Sequence, residues 1–168
     1  LIPQEGEKII EQEHFVPAGI ITTPNGERVI DFGQNITGYV QIHLTANEGD
    51  TVTLSHGETL DYDGNFYNAN YRAAKAKLCY ICRNGEQAYH PHLTFYGFRY
   101  VRIDDFPGGV ENATVENFSA IAVYSDIKRT GYLSCSNPLL NKFFDNVIWG
   151  QKCNFLDIPT DCPQRDER

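Results

Sequence analysis

The sequence predicts a mostly-β chain, an antiparallel β-sandwich followed by one helix. Short runs of β-branched and aromatic residues follow one another, about eight in all, and clusters of Gly, Asn, Asp and Pro punctuate them. No helical period occurs before residue 130, and a clear one begins soon after it.

Residues 1–16 are polar and charged, with Glu5, Glu7, Lys8, Glu11 and Glu13 around the apolar pair Ile9-Ile10. They read as a lead-in or edge strand from a preceding domain. The sandwich is expected over residues 17–130. Gly19–Thr23 and Glu27–Phe32 flank Pro24-Asn-Gly26 and read as a hairpin. From Thr37 to Thr45, Val40, Ile42 and Leu44 share one face and Tyr39, Gln41 and His43 the other. Asn47–Asp50 turns the chain into Thr51–Ser55, where Val52 and Leu54 alternate with hydroxyl residues. These two strands read as a second hairpin with one wet face, and His43 and His56 as half-exposed strand histidines.

In Asp61-Tyr-Asp-Gly-Asn65 the glycine stands fourth, whereas an EF-hand loop needs it sixth, so the segment reads as a tight Asp-Gly turn. Lys77–Cys82 reads as a strand, which sends Cys79 and Cys82 to opposite faces, where they cannot share a metal. No metal site and no cofactor is expected. Asn84-Gly85 is the next turn. In Phe95–Ile103, the most aromatic run, Phe98 and Tyr100 share one face and Val101 and Ile103 the other. With both faces apolar, this strand is expected to be central. Pro107-Gly-Gly109 breaks the chain, and Glu116–Tyr124 is the last strand of the set.

The pattern changes at Gly131. Ser136 or Asn137 caps a helix whose first turn holds Pro138, where a missing N–H costs little. Leu139/Leu140, Phe143/Phe144 and Val147/Ile148 then recur every four residues as one broad apolar face. Nothing else in the sequence reads as helical, so this face is expected to pack on a following domain. Phe155–Thr160 reads as extended.

Composition narrows the function. The 168 residues suffice for one ordinary domain and the edge of a second. A net charge of −8 without a basic patch excludes nucleic acid as an expected partner, and neutral ligands such as sugars fit better. No run of roughly 18 apolar residues marks a membrane helix. Five scattered cysteines argue against a disulfide-stapled secreted module and lean toward a cytoplasmic setting. The chain starts at Leu1, contains no Met and stops at Arg168, and it reads as an internal piece of a longer protein.

The closing octapeptide, Asp161-Cys-Pro-Gln-Arg-Asp-Glu-Arg168, interleaves three carboxylates with two guanidiniums. Fixed carboxylates and Arg forks can hold hydroxyls and tune one another's pKa. A solvated charged tail has the same composition.

The segment from Asn154 to Arg168 closely resembles the one that opens the active site of bacterial α-L-rhamnosidases, glycoside hydrolase family 78. Asp31-Phe-Gly-Gln-Asn35 with Thr37-Gly38, Tyr96–Val101, Cys135–Asn141 and Trp149-Gly150 resemble further landmarks of that family, in its order. The resemblance implies a concanavalin-like β-sandwich over 17–130 and the start of a truncated (α/α)6 catalytic barrel over 131–168. It implies hydrolysis of terminal α-L-rhamnosyl residues from glycosides or polysaccharides, with inversion. Glu167 maps to the general acid and Asp161 to a ligand of sugar hydroxyls. Arg165 and Asp166 match positions lining the sugar pocket. Asp161 and Asp166 would raise the pKa of Glu167, and Arg165 and Arg168 would oppose them. The general base would lie downstream of this sequence, in the remainder of the barrel, which is the expected intramolecular partner. Association into a homo-oligomer is compatible with the sequence. The chain alone is expected to be inactive, with its closing motif loosely held.

A rival reading is a lectin-like module that binds carbohydrate through exposed aromatics such as Tyr39 or Tyr62, without catalysis. A third keeps the fold and changes the sugar.

Overall fold

The computed structural model describes residue 2 and residues 5–165. In chain order the strands are β1 (Ile9–Phe15), β2 (Gly19–Thr22), β3 (Arg28–Ala46), β4 (Thr51–Gly57), β5 (Thr59–Leu60), β6 (Phe66–Tyr67), β7 (Lys77–Ile81), β8 (Gly85–Tyr89), β9 (Tyr96–Asp105) and β10 (Phe118–Ser125). The helix α1 (Pro138–Asn154) and two short strands, β11 (Phe155–Leu156) and β12 (Ile158–Pro159), follow.

The 19-residue strand β3 organises the sandwich. Its first half lies between β2 and β9, with Ile30 opposite both Ile20 and Val101. Its second half lies between β10 and β8, with Ile42 opposite both Phe118 and Tyr89. One strand therefore serves both layers, and the antiparallel sheet curls around the main core. Ile30, Ile36, Val40, Ile42 and Leu44 of β3 meet Val52 and Leu54, Phe98 and Val101, and Phe118 and Ala120 there.

The sequence predicts two strands, Glu27–Phe32 and Thr37–Thr45, where β3 is one, and the stretch between them is a bulge. Gly33 has φ of +76°, which a residue without Cβ adopts freely, and its N–H donates to Asp31 Oδ1 at 2.7 Å. The register against β9 shifts between Asp31 and Ile36.

The hairpin of β2 and β3 forms as predicted, with Thr22 opposite Arg28. The second predicted hairpin does not. Strand β4 pairs with β7 and β9, and β8 takes the edge of β3, with Ala46 opposite Gly85. The Asn47–Asp50 turn thus crosses between layers, which lets Val52 and Leu54 be fully buried. His43 is exposed, but His56 is fully buried rather than half-exposed. Its ring stacks 4.1 Å from that of Tyr96, and Nδ1–H donates to the Ala76 carbonyl at 3.0 Å. Burial pushes its pKa down to about 4.

Strand β9 is central, between β3 and β4. One of its faces, however, is polar. Arg102 joins Glu27 at 2.9 Å and Asp104 at 2.7 Å, and Ser55 donates to Asp104 at 2.5 Å. Cys79 is exposed and Cys82 buried, on opposite faces as predicted. Asp61 Oδ1 accepts the N–H groups of Asp63 (3.0 Å) and Asn65 (2.7 Å), which is the predicted turn. Within the lead-in segment, β1 hydrogen-bonds to β10 along the sheet edge.

Asn137 caps α1, its Oδ1 accepting from Leu139 N–H at 2.9 Å, with Pro138 in the first turn. Leu139, Leu140, Phe143 and Val147 are exposed, so most of the predicted apolar face is uncovered among the described residues, while Phe144 and Ile148 are half-buried. The C-terminal turns dock on the sandwich instead, with Trp149 against Phe15 at 5.7 Å between ring centroids.

Candidate active site

Two landmarks on β3, Asn35 and Thr37, anchor the chain that leads into the closing motif, and a third, Asp31, is fixed within the sandwich. Asp31 receives both Nε (2.8 Å) and Nη2 (2.9 Å) of Arg99, and this fork holds its carboxyl below the usual range. The bulge beside it presents Asn35 and Thr37 to the end of α1. Thr37 Oγ1 donates to the buried Cys153 carbonyl at 2.9 Å, and Cys153 Sγ–H donates to Asn35 O at 3.7 Å. The helix therefore ends at a fixed point on the sandwich.

Beyond it, Phe155–Thr160 does not run straight. Strands β11 and β12 fold back as a tight pair, with Asp157 at φ of +70°. Its N–H donates to Ser125 Oγ at 2.8 Å, and Thr160 N–H closes the loop on Asn154 O at 2.7 Å.

The motif then makes a 3-10 turn, Pro163–Arg165, in which Arg165 N–H donates to Cys162 O at 3.0 Å. Pro163 is buried. Gln164 lies on β9 at Gly97, where a Cβ would come within 3.0 Å of both its Cβ and its amide nitrogen. The expectation of a loosely held motif is thus corrected for its described part: a glycine on a central strand gives the turn a seat.

Arg165 Nη2 donates to Cys162 Sγ at 3.0 Å, and Cys162 Sγ–H donates to Asp161 Oδ2 at 3.3 Å. The carboxylate and the guanidinium predicted to bind sugar are therefore brought together through one sulfur. Asp161 is exposed, which leaves its carboxylate accessible to a ligand. An anionic acceptor beside a planar donor fork suits a polyol, whose hydroxyls both donate and accept. Asp166 and Glu167 lie outside the described residues.

A groove of about 570 Å³ beside the motif is lined by Leu156, Thr160, Pro163, Tyr39, His92 and Phe95, among others. The histidine pair was missed in the sequence, although His90-Pro-His92 directly precedes the aromatic run. Tyr39 stacks on His90 at 4.9 Å and 10° and donates its hydroxyl to Glu11 at 2.5 Å. Burial first, and then Glu11, raise the Tyr39 phenol above its ordinary pKa. Tyr62 stands fully exposed in the Asp61–Asn65 turn. Among the described residues no group of three or more His, Cys, Asp or Glu is placed to hold a metal ion.

Residues 21–124 match the family described as the bacterial alpha-L-rhamnosidase concanavalin-like domain, and residues 128–168 match the bacterial alpha-L-rhamnosidase 6 hairpin glycosidase domain. An alpha-L-rhamnosidase of Streptomyces avermitilis is 41% identical over 155 residues, covering 91% of this chain and 15% of that protein. One of Alteromonas sp. is 44% identical over 142 residues, covering 83% of this chain and 15% of that protein. The chain thus spans about 15% of the length of these relatives. Among solved structures, the Streptomyces avermitilis alpha-L-rhamnosidase complexed with L-rhamnose superposes with a TM-score of 0.89 at 35% identity, covering 96% of this chain and 16% of that one. The alpha-L-rhamnosidase of Dictyoglumus thermophilum also gives 0.89, at 36% identity, covering 98% of this chain and 18% of that one.

Proposed function

The chain belongs to the bacterial α-L-rhamnosidase family, and on that premise we propose that it is the sandwich and first barrel segment of an inverting α-L-rhamnosidase. Its substrates would be glycosides or polysaccharides ending in non-reducing α-L-rhamnose. The division proposed is a lead-in over 1–16, the sandwich over 17–130 and the start of the catalytic (α/α)6 barrel over 131–168. The two family matches, at 21–124 and 128–168, support it.

The observation that carries the reading is the seat of the closing motif. The 3-10 turn seated on Gly97 brings Asp161 and Arg165 together through Cys162, just before the chain continues into Asp166 and Glu167. In the proposed reaction Glu167 protonates the glycosidic oxygen as the bond to rhamnose breaks. A base on the opposite face, about 6.5–9.5 Å away, activates the attacking water. That base is assigned to the remainder of the barrel, which also covers the exposed face of Leu139, Phe143 and Val147. Asp161 and Arg165 hold the sugar hydroxyls, and Asp166 completes that wall of the pocket. Orientation by such groups is worth several orders of magnitude in rate.

The test is the stereochemistry of turnover by the full-length protein. Proton NMR during hydrolysis of p-nitrophenyl α-L-rhamnoside is expected to show β-L-rhamnose first, with the α anomer appearing only through mutarotation. The α anomer as first product, or no hydrolysis, would contradict the proposal.

A further inference from the structure

We propose that Tyr71 is a positioning residue for the proposed reaction: its hydroxyl fixes Gly97 from the sandwich side, and through Gly97 it sets the placement of Asp161 and Arg165. The inference rests on the reading of those two residues as ligands of sugar hydroxyls.

The first observation is that Tyr71 is buried outside the main core. It is 2% exposed, yet the core built by β3, β4, β9 and β10 does not include it. It ends a short 3-10 turn, Ala69–Tyr71, in the segment between β6 and β7. A buried phenol needs a partner for its hydroxyl. Here the hydroxyl donates to the Gly97 carbonyl at 2.6 Å. The ladder between β4 and β9 ends with Gly57 opposite Tyr100, and Gly97 lies beyond that end. Burial first, and then the Glu58 carboxylate, raise the phenol well above its ordinary pKa, so the hydroxyl remains a donor.

The second observation is what else meets at Gly97. Thr37 is its register partner on β3, and Thr37 Oγ1 donates to the Cys153 carbonyl at 2.9 Å. A Cβ on Gly97 would lie 3.0 Å from both the Cβ and the backbone nitrogen of Gln164. The cross-strand pair Thr37–Gly97 therefore locates both ends of the segment that delivers the closing motif, at Cys153 and at Gln164. Gln164 stands between Cys162 and Arg165, whose side chains bond at 3.0 Å, and Cys162 Sγ–H donates to Asp161. A shift of Gly97 is thus passed through Gln164 to both proposed ligands.

Glu58 belongs to the same place. It accepts from Asn35 Nδ2 at 3.1 Å, and Asn35 O accepts from Cys153 Sγ–H at 3.7 Å. The sandwich groups around Tyr71 are therefore the ones that hold the end of α1.

The test uses the full-length enzyme with Y71F, D161A and the double variant. Phenylalanine fills the same space and removes the bond to Gly97. Y71F is expected to fold, with its melting temperature lowered by only a few degrees. Its kcat/KM on p-nitrophenyl α-L-rhamnoside should fall about two- to tenfold, the range one hydrogen bond commands. The inhibition constant of L-rhamnose should rise by a similar factor, because the groups that hold the sugar have moved. In the D161A background the effect of Y71F should shrink, as it does for residues acting through one another. A purely structural hydroxyl would leave the inhibition constant unchanged and give losses that multiply. Either of those results, an unimpaired Y71F, or a Y71F that does not fold would overturn the inference. A D161A enzyme with unchanged kcat/KM would instead overturn the assignment of Asp161. A D161A loss beside a fully active Y71F would overturn only the role of Tyr71.

Discussion

Gly97 and Gln164 touch so closely that a methyl group on the glycine would sit 3.0 Å from the Gln164 backbone nitrogen. This contact ties a central sandwich strand to the turn carrying the proposed sugar ligands. Gly97→Ala in the full-length protein should lower kcat several-fold, because Gln164 has to retreat by a few tenths of an ångström. Gly97→Val should cost about 100-fold, the usual consequence of misplacing reacting groups by about 1 Å. Fold stability should fall by only about 1–2 kcal/mol in either case. Steady-state kinetics beside thermal melts checks the separation.

His56 predicts an acid-sensitive fold. Buried against Tyr96 and Phe98, it titrates near 4 in the native state and near 6.5 when unfolded. Between those values the unfolded chain takes up a proton that the folded chain refuses, so stability falls as pH drops from 6.5 to 4. The loss is about 3 kcal/mol. His56→Phe keeps an aromatic ring and removes that titration. Denaturant melts across this range should show the parent curve dropping toward the variant's.

Thr37→Val tests the weld between sandwich and helix. The substitution leaves the buried Cys153 carbonyl without its donor and should cost about 1–3 kcal/mol. Hydrogen exchange should report the loss at the last turn of α1 and at β11, while the amides of β3 and β9 stay protected.

The 168-residue chain alone should release no p-nitrophenol from p-nitrophenyl α-L-rhamnoside, since the proposed base lies in the rest of the barrel. Calorimetric titration with L-rhamnose should also give no heat. Tyr39, a ring that a sugar-binding module would use, already has one face on His90 and its hydroxyl on Glu11.

Local patterns made part of this fold legible in the sequence. Alternation from Val40 to Leu44 gave the buried face of β3, and Asn137-Pro138 gave the start of α1, because both depend on residues a few positions apart. The pairing of β4 with β9 instead of β3 was not legible, since partners are chosen by burial across the whole sheet. Nor was the burial of His56, which follows from stacking on Tyr96, forty residues on. The site divides in the same way. Asp161 and Arg165 stand out through their motif. Gly97 and Tyr71 act through contacts with segments far away in the chain, and a lone glycine in an aromatic strand does not reveal what will rest on it.

Glu167 is the proposed general acid, and the proposed function stands or falls with that role. The most direct measurement compares full-length parent and Glu167→Gln on two substrates, p-nitrophenyl and methyl α-L-rhamnoside. An acid matters most where the leaving group is poor. The expected result is a loss of about 10²–10⁴ in kcat on the methyl glycoside, a smaller loss on the p-nitrophenyl glycoside, and disappearance of the basic limb of the pH profile. Equal losses on both substrates with the basic limb intact, or unimpaired turnover, would contradict it.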